Sequence, residues 1–164
     1  MSNIGTINRE VDISYEYYNL ALEDEKVAIL LKNKGEYRHS IYFFIQAMEK
    51  YIKSKIFTLV NPNLEYYINK NKHHSLDYSI EFLIEVISPD ENIRNQVKLY
   101  FNKYVFKDLS FRNLHNNLRY PFYYNENREY YNIVNFDIED CKYIEKMLEN
   151  LKKYLKDLNL NRIK

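Results

Sequence analysis

Apolar side chains recur three and four positions apart along most of this chain, the period of one helix face, and no stretch alternates long enough to make a convincing strand. Asp12 or Ser14 can cap a first helix running to about Lys34, with Tyr15, Tyr18, Leu22, Ile29 and Leu30 as its apolar positions and Gly35 as its stop. A second helix, Glu36 to about Val60, is the clearest: Tyr37, Ile41, Phe44, Ile45, Met48, Ile52, Ile56 and Leu59 keep the spacing until Asn61-Pro62-Asn63. The polar stretch Leu64 to His74 reads as a loop, and Ser75 caps a third helix with the stripe Leu76, Ile80, Leu83, Ile84 and Ile87. A fourth helix is expected from Asp90, through Ile93, Val97, Tyr100, Phe101, Tyr104, Phe111, Leu114 and Leu118, with room for a bend around Lys107 to Ser110. Arg119-Tyr120-Pro121 closes it, because a residue before proline is pushed out of the helical region. Phe122 to Phe136 is expected to be an aromatic, Asn-rich loop. Asp137 with Asp140 then opens a last helix carrying Ile138, Cys141, Ile144, Leu148, Leu151, Leu155 and Leu158 inward. These elements predict an all-α fold, an up-and-down bundle of about five helices forming a single domain over 1–164.

Composition narrows the chemistry. With 2 Gly and 3 Pro in 164 residues, the chain lacks the turn residues of a sandwich or barrel, and 46% hydrophobic residues supply enough apolar surface to fold. Glycines at Gly5 and Gly35 alone leave no glycine-rich phosphate loop. The lone Cys141 excludes an internal disulfide or a thiolate zinc cluster. His73 and His74, with His39, lack the acidic cluster of a metal site and read as surface residues, so neither a metal nor another cofactor is expected. Residues 1–10 lack the pattern of a signal peptide and no apolar run is long enough to span a membrane, so a cytoplasmic protein without a membrane partner is expected.

The formal charge of +1 conceals a segregation. Five acids and no base lie between Asp12 and Glu25, whereas six bases (Arg94, Lys98, Lys103, Lys107, Arg112 and Arg119) face one acid, Asp108, between Arg94 and Arg119. These runs are either solvated faces, attracted to each other within or between chains, or a basic track for a phosphate backbone. Asp108, Arg112, His115 and Arg119 fall at i, i+4, i+7 and i+11, so they are expected to share one helix face beside Phe111, Leu114 and Leu118. Arginines hold phosphate oxygens in bidentate fashion, and an imidazole can move a proton near neutral pH, so Arg112 and His115 are the candidate catalytic pair. Tyr123, Tyr124, Tyr130 and Tyr131 around Arg128 either stack unpaired bases or pack on the bundle.

Three motifs stand in register with the helix boundaries: Gly35-Glu36-Tyr37 followed by Gln46-Ala47-Met48-Glu49-Lys50-Tyr51-Ile52-Lys53; His74-Ser75-Leu76 followed by Leu83-Ile84; and Arg119-Tyr120-Pro121. In these pieces the chain resembles the HEPN family (higher eukaryotes and prokaryotes nucleotide-binding) over roughly residues 12–158. The helix-two motif also reads directly, with Gln46, Glu49, Lys50 and Lys53 on the polar side behind Ile45, Met48 and Ile52. The resemblance implies a helical bundle that pairs as a homodimer and serves an RNA- or nucleotide-linked role. Many such proteins are metal-independent endoribonucleases, often toxins of toxin–antitoxin pairs, with an arginine and a histidine separated by four to six residues; others are non-catalytic partners of small nucleotidyltransferases. Here His115 follows Arg112 after two intervening residues, and no histidine comes later. The Arg-Tyr-Pro ending favours the non-catalytic group. The expectation is a module that binds RNA, a nucleotide or a nucleotidyltransferase through Arg112, Asn113, Arg119, Tyr120, Lys107 and Lys103. The alternatives are a ribonuclease using Arg112 and His115, or a pure protein–protein interaction module in which the acidic first helix docks on the basic fourth.

Overall fold

A computed structural model describes residues 4–124 and 130–158. The helices are α1 (Ile13–Asn33), α2 (Tyr37–Leu59), α3 (Glu65–Asn71), α4 (Leu76–Ile87), α5 (Glu91–Tyr100), α6 (Phe111–Arg119) and α7 (Ile138–Asp157), with a π-helical turn at Phe101–Val105. Two short antiparallel strands, β1 (Phe122–Tyr124) and β2 (Tyr130–Asn132), pair Tyr123 with Tyr131. The protein is therefore mostly helical, as the apolar spacing predicts.

Local chemistry sets the helix ends. The Asp12 carboxylate accepts from the Ser14 and Tyr15 backbone N–H groups, Ser75 Oγ accepts from Tyr78, and Asp137 and Asp140 form a reciprocal capping box. Gly35 takes φ +79°, which lets the Glu36 N–H reach back to the Leu31 carbonyl at 2.9 Å and close α1.

Helix α2 is the axis of the core and touches α1, α4, α6 and α7. Its Ile41, Phe44, Ile45, Met48, Ile52 and Ile56 are buried, facing Leu83 of α4 and Cys141, Leu148 and Leu151 of α7 within one apolar cluster. Each such side chain contributes roughly 1.5–3 kcal/mol by leaving water. Neighbouring elements cover much of the expected polar side of α2, where Gln46 and Lys50 are half-buried. Glu49 is 6% exposed and Lys53 1% exposed, and they pair at 3.2 Å. The Lys53 ammonium also donates to the Asn71 and His73 carbonyls, at 3.3 and 2.8 Å, and lies 5.6 Å from the Tyr17 ring centre.

Four expectations change. Helix α1 meets α2 through Ala21 and Ala28, both fully buried, while Tyr15 and Leu30 of the expected stripe are 60% and 53% exposed. Small side chains allow the two helix backbones to approach, which leaves the larger ones astride the contact. Residues 65–71 of the expected loop form α3, and the expected loop after Pro121 contains the β1–β2 hairpin. The expected fourth helix is two helices. After the π-helical turn, Lys107 and Asp108 adopt φ +48° and +59°, a left-handed conformation that breaks the helix before α6. Phe101, Phe106 and Phe111 explain the break. On a continuous α-helix, residues five apart point about 140° away from each other, yet all three are buried, with ring centres 5.7 and 5.1 Å apart in succession.

Candidate nucleotide-binding cleft

Burial of Lys53 is the foundation of the cleft. By holding the 71 and 73 carbonyls, it fixes the turn before α4, and Ser75 then starts α4 with Asp77 in its first turn. Across from that turn stands α6. Between them, with α2 as the floor, is a cleft of about 490 Å³ whose lining includes Gln46, Glu49, His74, Asp77, Glu81, Arg112 and His115. Its volume suits a mononucleotide-sized ligand.

The walls differ in electrostatics. Glu49 is neutralised by Lys53, and His74 Nδ1 lies 3.7 Å from the same carboxylate. Burial pushes the Asp77 carboxyl above the usual carboxylate range; a hydrogen bond from the Arg112 backbone N–H and the Arg112 charge oppose that push, and Glu81 adds to it. Asp77 and Gln46 are half-buried acceptors for N–H and O–H donors, whereas Glu81, 3.8 Å from Lys98, and Arg112 on the α6 side are both exposed.

His115 is half-buried and lies with its ring centre 6.0 Å from that of Tyr42. Its Nε2 is 3.2 Å from Arg119 Nη1. A guanidinium has donors only, so in this contact Nε2 is the acceptor. On the far side of this pair is a smaller hollow of about 300 Å³ lined by Arg38, Tyr42, Arg119 and Tyr120, in which the Arg119 guanidinium carbon sits 5.0 Å from the Tyr120 ring centre.

Of the residues expected in the site, Arg112 and His115 share the cleft, and Arg119 and Tyr120 share the adjoining hollow. Asn113 is exposed on α6 and does not line the cleft. Lys103 and Lys107 are not brought there: the first lies 5.3 Å from the Tyr104 ring and the second 5.0 Å from that of Tyr143 on α7. Asp108 precedes α6 and leaves the expected row. Tyr123, Tyr130 and Tyr131 are exposed on the hairpin, Tyr131 at 74%, and Arg128 lies outside the described residues.

Two contributors escape a reading of the sequence. Asp77, two positions after a capping serine, looks like an ordinary first-turn acid. Arg38 donates to the Asn117 and Leu118 carbonyls at 2.8 and 3.0 Å and to the Val134 carbonyl, and its guanidinium carbon is 5.2 Å from the Phe136 ring centre. It therefore caps the C-terminus of α6 and ties the chain after the hairpin to it. Partners so distant along the chain leave no local signal.

Two acids of α1 pair within the chain with α2 and α7: Asp24 meets Lys50, and Glu25 meets Lys152 at 2.8 Å. Among the described residues no group of three or more His, Cys, Asp or Glu could hold a metal ion, and no helix is long and apolar enough to cross a membrane. No family model, curated protein or solved structure matches the chain.

Proposed function

We propose that this protein is a HEPN-type helical module that binds RNA or a nucleotide in the α2–α4–α6 cleft without cleaving it. The observation that carries this reading is that an exposed arginine, Arg112, and the half-buried acceptors Asp77 and Gln46 line one cleft of mononucleotide size. Phosphate goes to Arg112, and to Arg119 next door, while base amino groups or ribose hydroxyls donate to Asp77, Glu81 and Gln46. A bare phosphate would meet carboxylates there with nothing to offer them, so the chemistry favours a nucleotide unit. The exposed Tyr120, Tyr123 and Tyr131 support a single-stranded ligand, since unpaired bases stack on aromatic faces. The lone pair of His115 is engaged by Arg119, which supports binding over catalysis.

A homodimer and a nucleotidyltransferase partner belong to the same proposal, and the exposed Tyr15 and Leu30 of α1 offer them apolar surface. Titration of labelled single-stranded RNA and of mononucleotides at low salt tests the reading. Combined Arg112→Ala and Arg119→Ala is expected to weaken binding at least ~10-fold, about 1.4 kcal/mol, and to flatten its salt dependence. Absence of binding, or indifference to those changes, defeats it. The second reading, a metal-independent endoribonuclease, is favoured by Arg112 and His115 sharing the cleft. RNA degradation in EDTA that His115→Ala abolishes would establish it in place of the first.

A further inference from the structure

Three carboxylates line the cleft between α2, α4 and α6, and they are not equivalent. Glu49 is buried and held by Lys53 at 3.2 Å, and Glu81 is exposed and lies 3.8 Å from Lys98. Asp77 is half-buried and makes no ion pair among the described residues. Its partners are the Arg112 backbone N–H, in the first turn of α6, and the Arg112 charge. A carboxylate carries two oxygens that accept several hydrogen bonds, so a single N–H leaves most of the Asp77 capacity open to a ligand in the cleft.

A carboxylate drawn partly out of water gains most from donors that fill both its oxygens. The neighbouring charge decides which donors these are. Arg112 lines the same cleft and is exposed, so it repels a cationic ligand such as an ammonium or a guanidinium. The ligand that serves both residues has an anionic end for Arg112 and an uncharged pair of N–H donors for Asp77. Guanine presents N1–H and its N2 amino group side by side, matching the two oxygens of a carboxylate. Adenine and cytosine set a ring-nitrogen lone pair beside their amino group, and uracil sets its N–H between two carbonyls, so each turns a lone pair toward the carboxylate. Gln46, also half-buried in the lining, adds an amide whose N–H donors suit the guanine O6.

We propose that the cleft selects guanine, with Asp77 accepting from N1–H and the N2 amino group while Arg112 takes the phosphate. This inference rests on the reading of the cleft as a nucleotide site and names its base. Asp77 stands in the first turn of α4 and holds the first turn of α6, where Ser110 makes no side-chain capping bond. One contact thereby sets the base-reading group against the phosphate-holding one. A phosphate at Arg112 also lies at the N-terminal end of α6, where the helix dipole favours an anion.

Calorimetric titration of the full chain with GMP, IMP, XMP and AMP at low salt tests it. GMP is expected to bind at least ~10-fold more tightly than AMP, the scale of a bidentate base contact, with IMP, which keeps N1–H and lacks the amino group, between them. Asp77→Asn keeps an oxygen for N1–H and replaces the second acceptor by a donor. It is expected to reverse the order of GMP and XMP, whose C2 oxygen stands where guanine has its amino group, an exchange that no loss of folding produces. A short oligoadenylate with one internal guanosine, titrated beside GMP, separates the sources: tighter binding of the oligomer assigns the guanine to single-stranded RNA, tighter binding of GMP assigns it to a free nucleotide, and either supports the site. Equal affinity for GMP and AMP, or an order of GMP and XMP that Asp77→Asn leaves unchanged, overturns the guanine inference and leaves nucleotide binding in place. Absence of binding by every mononucleotide and by the oligomer overturns the nucleotide reading itself, and the inference with it.

Discussion

Helix α2 and the stretch from Glu91 to Arg119 carry apolar residues at similar helical spacing, yet the first is one helix of 23 residues and the second is two helices joined by a π-helical turn and a left-handed step. The difference lies in where the largest side chains fall. On α2 the buried residues Ile41, Phe44, Ile45, Met48, Ile52 and Ile56 follow the helix period, so a continuous helix buries them all. In the second stretch Phe101, Phe106 and Phe111 follow a period of five, and only a broken backbone brings all three inward. The Phe106 N–H reaches the Phe101 carbonyl at 2.8 Å, the wider loop of that turn. Breaking the helix also turns α6 toward α4, which is what creates the cleft. Apolar spacing therefore sets continuity only when the bulkiest residues obey it.

The largest test of this contrast is Phe106→Ala, expected to cost about 3–5 kcal/mol in denaturant unfolding and to weaken ligand binding in the cleft, because α6 loses its anchor. Ile52→Val on α2, a milder deletion at the helix period, should cost about 0.5–1.5 kcal/mol and leave binding unchanged. Equal effects on binding would show that the break does not position α6. Lys53→Met leaves the Glu49 carboxylate buried without its cation and should cost about 3–5 kcal/mol; Glu49→Gln combined with it should recover a large part. A smaller effect is expected at the left-handed step. Lys107→Gly removes backbone strain, roughly 1–2 kcal/mol for a side chain in that conformation, against the entropy a glycine adds to the unfolded chain. Its Tm should rise slightly, and a fall would show that the step is not strained.

The last effect vanishes at neutral pH. Burial raises the pKa of Tyr51 on α2, helped by its hydrogen bond to Glu25, and burial raises that of Tyr154, helped by Tyr100 of the broken stretch. A raised folded value means that the folded state holds the proton more tightly. That stability is complete below the ordinary tyrosine value of about 10 and is lost as pH rises through the folded values. Unfolding followed from pH 9 to 12 should show a decline that Tyr51→Phe makes shallower; an unchanged slope would remove Tyr51 from the account.

Much of the site's scaffold is legible in the residues, and its composition is not. Arg112, His115 and Arg119 stand out as a polar row beside apolar positions, and they line adjoining hollows. Asp108 belongs to that row only if the helix is continuous, and the spacing of Phe101, Phe106 and Phe111 is the signal that it is not. Asp77 and Arg38 carry no signal of their own, since what distinguishes them is a neighbour far along the chain. Glu49 and Lys53 illustrate the same limit. Their spacing on α2 reads as an exposed ion pair until α3, α4 and Tyr17 are known to cover them.

The sequence by itself determines the helical class, the extent of α2 and α7, and the caps at Ser75 and Asp137, and it narrows the first cap to Asp12 or Ser14. Each depends on hydrogen bonds and apolar periods within a few residues, so the information is local. Only the tertiary structure decides that α1 meets the core through Ala21 and Ala28, that Lys53 is a buried anchor, and that Arg112 shares a cleft with the half-buried acceptors Asp77 and Gln46. Burial and electrostatics are properties of assembled surfaces, and a side chain's environment is supplied by elements tens of residues away.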